Sequence, residues 1–136
     1  MLLRTIQFKT AGKVIIIISI ITIVYHLLII TGIVPYKMVW GGRLESREEM
    51  LKFESISIAL NLLLMAIVIY RLKLSSKFFN QLLNVMLWAF TGLFILNTLG
   101  NVLSNSVIEA IIFTPVTLLI ALLCLRLTLE KQNIKP

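Results

Sequence analysis

Long apolar stretches alternate with short polar ones along this chain of 136 residues. Four stretches carry almost no charge, and they cover residues 14–33, 53–70, 79–99 and 107–125. A helix of roughly 20 apolar residues matches a bilayer core of about 30 Å. Lipid offers no partner for free backbone groups, so such stretches must fold as internally hydrogen-bonded helices. The pattern therefore predicts four transmembrane helices.

The polar connections predict how these helices are arranged. The first connection, residues 34–52, is the longest, and the other two are short. Short connections make neighbouring helices antiparallel. Within the first connection, Ser46 and Glu49 have the spacing of a capping box, which predicts a helix that begins near Arg47. We expect an all-α, up-down four-helix membrane bundle, a single domain over residues 1–136 with a partly helical outer loop.

Composition supports a membrane location and argues against nucleic acid. Hydrophobic residues make up 59% of the chain and charged residues 14%, against roughly 45–50% and about 25% in soluble domains. The net charge is +7, but the cations cluster beside apolar stretches rather than forming a solvated basic face. Membrane lipid is the expected partner. The single cysteine, Cys124, excludes an internal disulfide.

The distribution of cations predicts the orientation. Lys and Arg residues near span ends favour the cytoplasmic side. The first connection has four cations, whereas nine lie in the two terminal segments and the second connection: Arg4, Lys9, Lys13, Arg71, Lys73, Lys77, Arg126, Lys131 and Lys135. We expect a multi-pass protein of the cell membrane with both termini cytoplasmic (N-in/C-in). We interpret the compact, Ile- and Lys-rich chain as bacterial.

Polar side chains inside apolar stretches mark the candidate site, because they are costly in a membrane and often functional. From the helical rise, His26 and Asn61 are expected at similar depth on adjacent antiparallel helices. Glu54 and Ser57 share one helix face with Asn61, at spacings of three and four. The sequence predicts an outward-facing polar cluster that binds a ligand and comprises His26, Glu54, Asn61, Asn97 and Glu109.

Each of these residues also has a purely structural interpretation. His26 and Asn61 could form an interhelical hydrogen bond, Glu109 could complete a capping box with Ser106, and Glu54 could pair with a loop cation. The chain has one histidine and no aspartate, so neither a zinc pattern nor a Ser-His-acid set is visible. We expect no catalytic residues, no metal and no cofactor.

Three local features carry alternatives of their own. The Trp40-Gly41-Gly42 segment predicts a turn that either lies at the headgroup level or folds back over the bundle. Pro115 predicts a bend in the fourth helix, with the hydroxyl of the preceding Thr114 available to satisfy a freed backbone group. Trp88, inside the third apolar stretch, is expected to pack within the bundle.

Three functions are open at this point. The favoured one is a binding or accessory component that acts as a homo-oligomer or with a larger membrane protein. The second is a small dimeric transporter. The third is a membrane enzyme acting on a lipid-like substrate, a less favoured function that requires the His26 imidazole within about 3 Å of a carboxylate, directly or through one water.

Overall fold

The computed structural model of the protein describes residues 5–73 and 77–130. Its four long helices are α1 (Phe8–Ile30), α2 (Arg47–Lys73), α3 (Lys77–Val102) and α4 (Thr114–Thr128). Two short 3₁₀ turns, Tyr36–Met38 and Trp40–Gly42, lie between α1 and α2, and a wide helical turn, Glu109–Phe113, leads into α4. Arg4, Lys131 and Lys135, on which the predicted orientation partly depends, lie outside the described residues.

The start of α2 follows from local capping. The Ser46 hydroxyl accepts the Glu49 N–H at 3.1 Å, as the spacing predicts. The Glu49 carboxylate accepts the N–H of Glu45 at 3.0 Å. These bonds satisfy backbone donors that a first helical turn leaves free. The helix therefore begins at Arg47, the predicted position.

Helix ends differ from the edges of the apolar stretches at several points. The first helix already begins at Phe8, and α3 continues through Gly100 to Val102 rather than closing at that glycine. Hydropathy marks where a chain leaves lipid, whereas a helix ends where backbone hydrogen bonding ends. A glycine inside a helix lowers its stability modestly without breaking it.

An apolar core shows that successive helices run antiparallel. Ile15, Leu64, Leu87 and Leu127 are fully buried in one cluster. They come from the early part of α1, the late part of α2, the early part of α3 and the late part of α4. This arrangement places the described residues nearest both termini at one end of the bundle, here called the terminal end. The opposite end, which carries the α1–α2 and α3–α4 connections, is the loop end.

The outer surface of the bundle is apolar. Ile21, Val85, Leu96 and Ile111 are 63%, 66%, 67% and 68% exposed. Such extensive apolar exposure is unusual on a protein surrounded by water. All four helices are long and apolar enough to cross a membrane, so the all-α fold with four such helices is confirmed. Trp88 is 52% exposed on this surface, and its predicted packing inside the bundle is wrong.

Two arginines close the terminal end. Arg126 is 5% exposed, and it donates to the Ile6 carbonyl at 2.8 Å and to Glu130 at 2.7 Å. Arg71 is 3% exposed and donates to Asn80 Oδ1 at 3.0 Å. The sequence predicted these arginines only as charges flanking the spans. In the structure, their hydrogen bonds join the ends of the helices.

The α4 bend is built differently from its prediction. The N–H of Thr114 donates to the carbonyl of Glu109, five residues earlier, which widens the turn before the proline. The Thr114 hydroxyl accepts and donates no hydrogen bond within the described part of the chain, so its predicted role is wrong. Instead, Thr117 donates to the Phe113 carbonyl at 2.8 Å. Thr98 of α3 in turn donates to Thr117 at 3.0 Å and joins the two helices.

Candidate functional site

A cavity of about 210 Å³ lies at the loop end of the bundle. All four helices contribute to its wall, together with the 3₁₀ turn that begins at Trp40. The five residues proposed from the sequence all line it: His26, Glu54, Asn61, Asn97 and Glu109. The structure thus brings the whole set together, and ligand binding by that set stays a prediction.

Glu54 is the centre of the polar wall. Its side chain is fully buried, yet both carboxylate oxygens are paired. The imidazole of His26 donates from Nδ1 to Oε2 at 2.5 Å, and the indole of Trp40 donates to Oε1 at 2.7 Å. The interpretation of Glu54 as the partner of a loop cation is therefore wrong. A carboxylate this deeply buried is tolerated because each oxygen has a donor.

The contact with Glu54 also orients His26. The sequence suggested Asn61 as its hydrogen-bonding partner, and the structure gives it Glu54 instead. Because Nδ1 is engaged by the carboxylate, Nε2 is the ring nitrogen left for another partner. In the described residues no group donates to that nitrogen. The wall therefore presents a histidine nitrogen whose ring is held in place by a buried carboxylate.

Asn61 presents a second unpaired acceptor. Its side chain is 6% exposed, and Nδ2 donates to the Ser57 carbonyl one turn earlier at 2.9 Å. That bond fixes which end of the amide is the oxygen. Across the residues that the structure describes, Oδ1 of Asn61 accepts no hydrogen bond. A buried polar atom without a partner is unfavourable, and a donor from a ligand or a water molecule that reached it would remove that cost.

Glu109 joins the two connections at the loop end. Its Oε2 accepts the Gly41 N–H at 2.8 Å and the hydroxyl of Ser104. The backbone half of the predicted capping box is present but long, since the N–H of Glu109 lies 3.5 Å from the Ser106 hydroxyl. The carboxylate does not complete the box, because it turns towards the α1–α2 connection. Only Oε2 is engaged within the described residues, so Oε1 is available.

The Trp40-Gly41-Gly42 segment folds back over the bundle, one of its two predicted conformations. Its φ angles are 55°, 66° and 71°. Glycine adopts such values freely, whereas for a bulky side chain they are strained. This strained backbone conformation comes with two hydrogen bonds. The indole of Trp40 donates to Glu54, and the adjacent Gly41 N–H donates to Glu109. Strained backbone of this kind clusters at functional sites.

One side of the cavity is open. Asn97 of α3 belongs to the wall yet is exposed. Gly100, one turn later, also lines the cavity, and a side chain added there would meet no atom within 4 Å. Leu60 of α2 and Leu93 of α3 give the wall apolar surface. The cavity thus combines a polar interior with an apolar side and an opening along α3.

Several wall residues were missed by the sequence analysis. The ring centroids of Tyr25 and Phe113 lie 4.9 Å apart, forming an aromatic section of wall. Tyr25 precedes His26 in the chain, and that proximity was the available signal. Arg43, exposed beside Gly41, contributes a cation at the rim. No sequence pattern indicated Ser104, because its role depends on where the α3–α4 connection contacts the α1–α2 connection.

Comparison with protein-family models, curated proteins and solved structures gave no match to this chain. Within residues 5–73 and 77–130, no group of three or more His, Cys, Asp or Glu side chains is placed to hold a metal ion. The geometry of the cavity is therefore the basis for proposing a function.

Proposed function

We propose that this chain is a small membrane-embedded binding protein, and that its loop-end cavity holds the polar part of a small amphipathic molecule. One observation carries the proposal: Asn61, which lines the same cavity as the oriented His26, has a buried side-chain oxygen without a hydrogen-bond partner in the described residues. The unpaired oxygen of Asn61 is unfavourable by itself, whereas a ligand with a hydrogen-bond donor would pair with it. The apolar side and the opening along α3 suit a molecule that reaches the site from lipid.

Native mass spectrometry of the protein, extracted from its membrane in mild detergent, tests this proposal. We expect a co-purified small molecule in one-to-one ratio. Gly100→Phe should remove it, because Gly100 lines the open side of the cavity and a Cβ added there meets no atom within 4 Å. Gly92→Phe is the matched control, since Gly92 also has open space on α3 and does not line the cavity. An identical, ligand-free spectrum for all three proteins would refute the proposal.

A second function, acid–base catalysis on a lipid-like substrate, is favoured by one distance. The 2.5 Å contact between His26 and Glu54 meets the requirement for direct hydrogen-bond reach. The carboxylate would orient the imidazole, and Nε2 would exchange a proton with the substrate. In that case the molecule eluted from the wild-type protein differs in structure from the one eluted from His26→Gln. Elution of the same molecule from both supports binding without catalysis.

We further propose that both termini are cytoplasmic, so that the cavity lies in the outer half of the membrane. The support is the excess of cations on the terminal side. Exposed positions allow a direct test with cysteines introduced into Cys124→Ser. A membrane-impermeant maleimide should label Glu45→Cys in intact cells, and should label Thr10→Cys only after lysis. The reverse pattern would place the cavity on the cytoplasmic side.

A further inference from the structure

We infer that the cavity selects an organic ammonium ion that carries at least one N–H group. This inference rests on the proposed binding function and specifies the ligand class. It follows from the unpaired oxygens of two wall residues: Asn61 Oδ1 and Glu109 Oε1 are acceptors without a partner in the described part of the chain. A ligand that complements these acceptors must bring donors.

The charges of the wall favour a cation. Glu54 and Glu109 are 0% and 8% exposed, so solvent screens them little. The fixed cation of the described wall, Arg43, is exposed at the rim beside Gly41, where water screens its charge. His26 is already committed to Glu54 through Nδ1. A positive ligand inside the cavity would therefore be attracted by two weakly screened carboxylates and repelled little by the water-screened Arg43.

The aromatic section of the wall adds to this preference. The faces of aromatic rings attract ammonium groups, more strongly when the site is shielded from water. Tyr25 and Phe113 form one ring pair in the wall, and Phe94, 7% exposed, lies in the wall as well. Carboxylates, aromatic faces and unpaired acceptors together fit an amine with a small apolar body. A neutral alcohol would donate to one of the acceptors, but it has no positive charge to interact with the carboxylates.

Four compounds that share a benzyl group test the inference: benzylamine, benzyltrimethylammonium, benzyl alcohol and phenylacetate. The chain has two tryptophans, and Trp88 is exposed on the outer surface. Trp88→Phe therefore leaves Trp40, a wall residue, as the fluorescent reporter. In this background we expect benzylamine to bind about tenfold more tightly than benzyl alcohol. The trimethylated cation should bind more weakly than the amine, and phenylacetate should bind least.

Two asparagine variants test whether benzylamine binding depends on Asn61. Asn61→Leu should weaken benzylamine binding about tenfold, because it removes a buried acceptor for a charged donor. Asn84→Leu is the matched control: Oδ1 of Asn84 also lacks a partner among the described residues, but Asn84 does not line the cavity. Its benzylamine affinity should equal that of Trp88→Phe alone.

Each alternative result has a defined meaning. Equal affinities for benzylamine and benzyl alcohol, both weakened by Asn61→Leu, would overturn the charge selection and leave the binding function standing. Equal affinities for the primary and the trimethylated ammonium would overturn the requirement for an N–H donor. If no compound alters Trp40 fluorescence, the ammonium inference fails, and the co-purification experiment alone decides whether the cavity binds another molecule.

Discussion

Replacing Glu54 with leucine is expected to lower the free energy of unfolding by about 3 kcal/mol. The reason is the number of elements that this one side chain joins. His26 of α1 and Trp40 of the α1–α2 connection both donate to it, and it is fully buried. Leucine would leave both donors without their acceptor, and an unpaired group costs about 1–3 kcal/mol where it is buried.

Unfolding in mixed micelles at increasing SDS fraction, followed by the helical circular dichroism signal, measures this loss. The control is Glu48→Leu, because Glu48 is on the same helix, has a side chain that is 79% exposed and pairs only with exposed Lys52. Exposed pairs of this kind contribute about 0–1 kcal/mol, so the control should stay close to wild type. Equal stability of the two variants would show that the Glu54 cluster does not hold the loop end together.

Adding His26→Phe to Glu54→Leu distinguishes a paired network from two independent packing positions. Removing both members of a buried pair leaves fewer unpaired groups than removing one. The double variant should therefore be less destabilised than the sum of the two single variants, with a coupling of about 1–2 kcal/mol. Additive losses would mean that the 2.5 Å contact contributes little to stability.

The grouping of the polar residues was predictable, whereas their pairing was not. Helical rise predicted a similar depth for His26 and Asn61, and the three- and four-residue spacing placed Glu54 on the helix face of Asn61. The structure places all three in one wall. Which two of them touch depends on the rotation of α1 and α2 about their axes. That rotation is set by packing of the whole bundle, because lipid-facing and buried positions are both apolar here and leave a weak periodic signal.

The role of Glu109 shows a second limit of sequence patterns. Ser106 and Glu109 match a capping box, and the backbone contact exists at 3.5 Å. The carboxylate nevertheless bonds to Gly41, 68 residues away in the chain. Local patterns describe the options of a side chain near its own backbone. They carry no information about a loop that is distant in the sequence, such as the α1–α2 connection with its Gly41 N–H.

Replacing Glu109 with leucine is expected to accelerate hydrogen exchange at the Gly41 amide by about ten- to a hundredfold. That amide donates to the Glu109 carboxylate at 2.8 Å, and leucine offers it no acceptor. Glu109→Gln retains a side-chain oxygen and should restore most of the protection. Glu45→Gln, at an exposed position of the same connection, should leave the exchange rate unchanged.

The size of that acceleration distinguishes two ways of holding the loop over the cavity. The segment has two attachments, the Trp40 indole on Glu54 and the Gly41 N–H on Glu109, and a strained positive φ at Trp40. If both attachments are needed to offset the strain, Glu109→Leu also raises exchange at Gly42, whose N–H donates to the carbonyl of Val39, the residue before the segment. If exchange rises at Gly41 alone, the indole of Trp40 is sufficient to hold the loop. In that case access to the cavity is controlled by the opening along α3 and not by the loop.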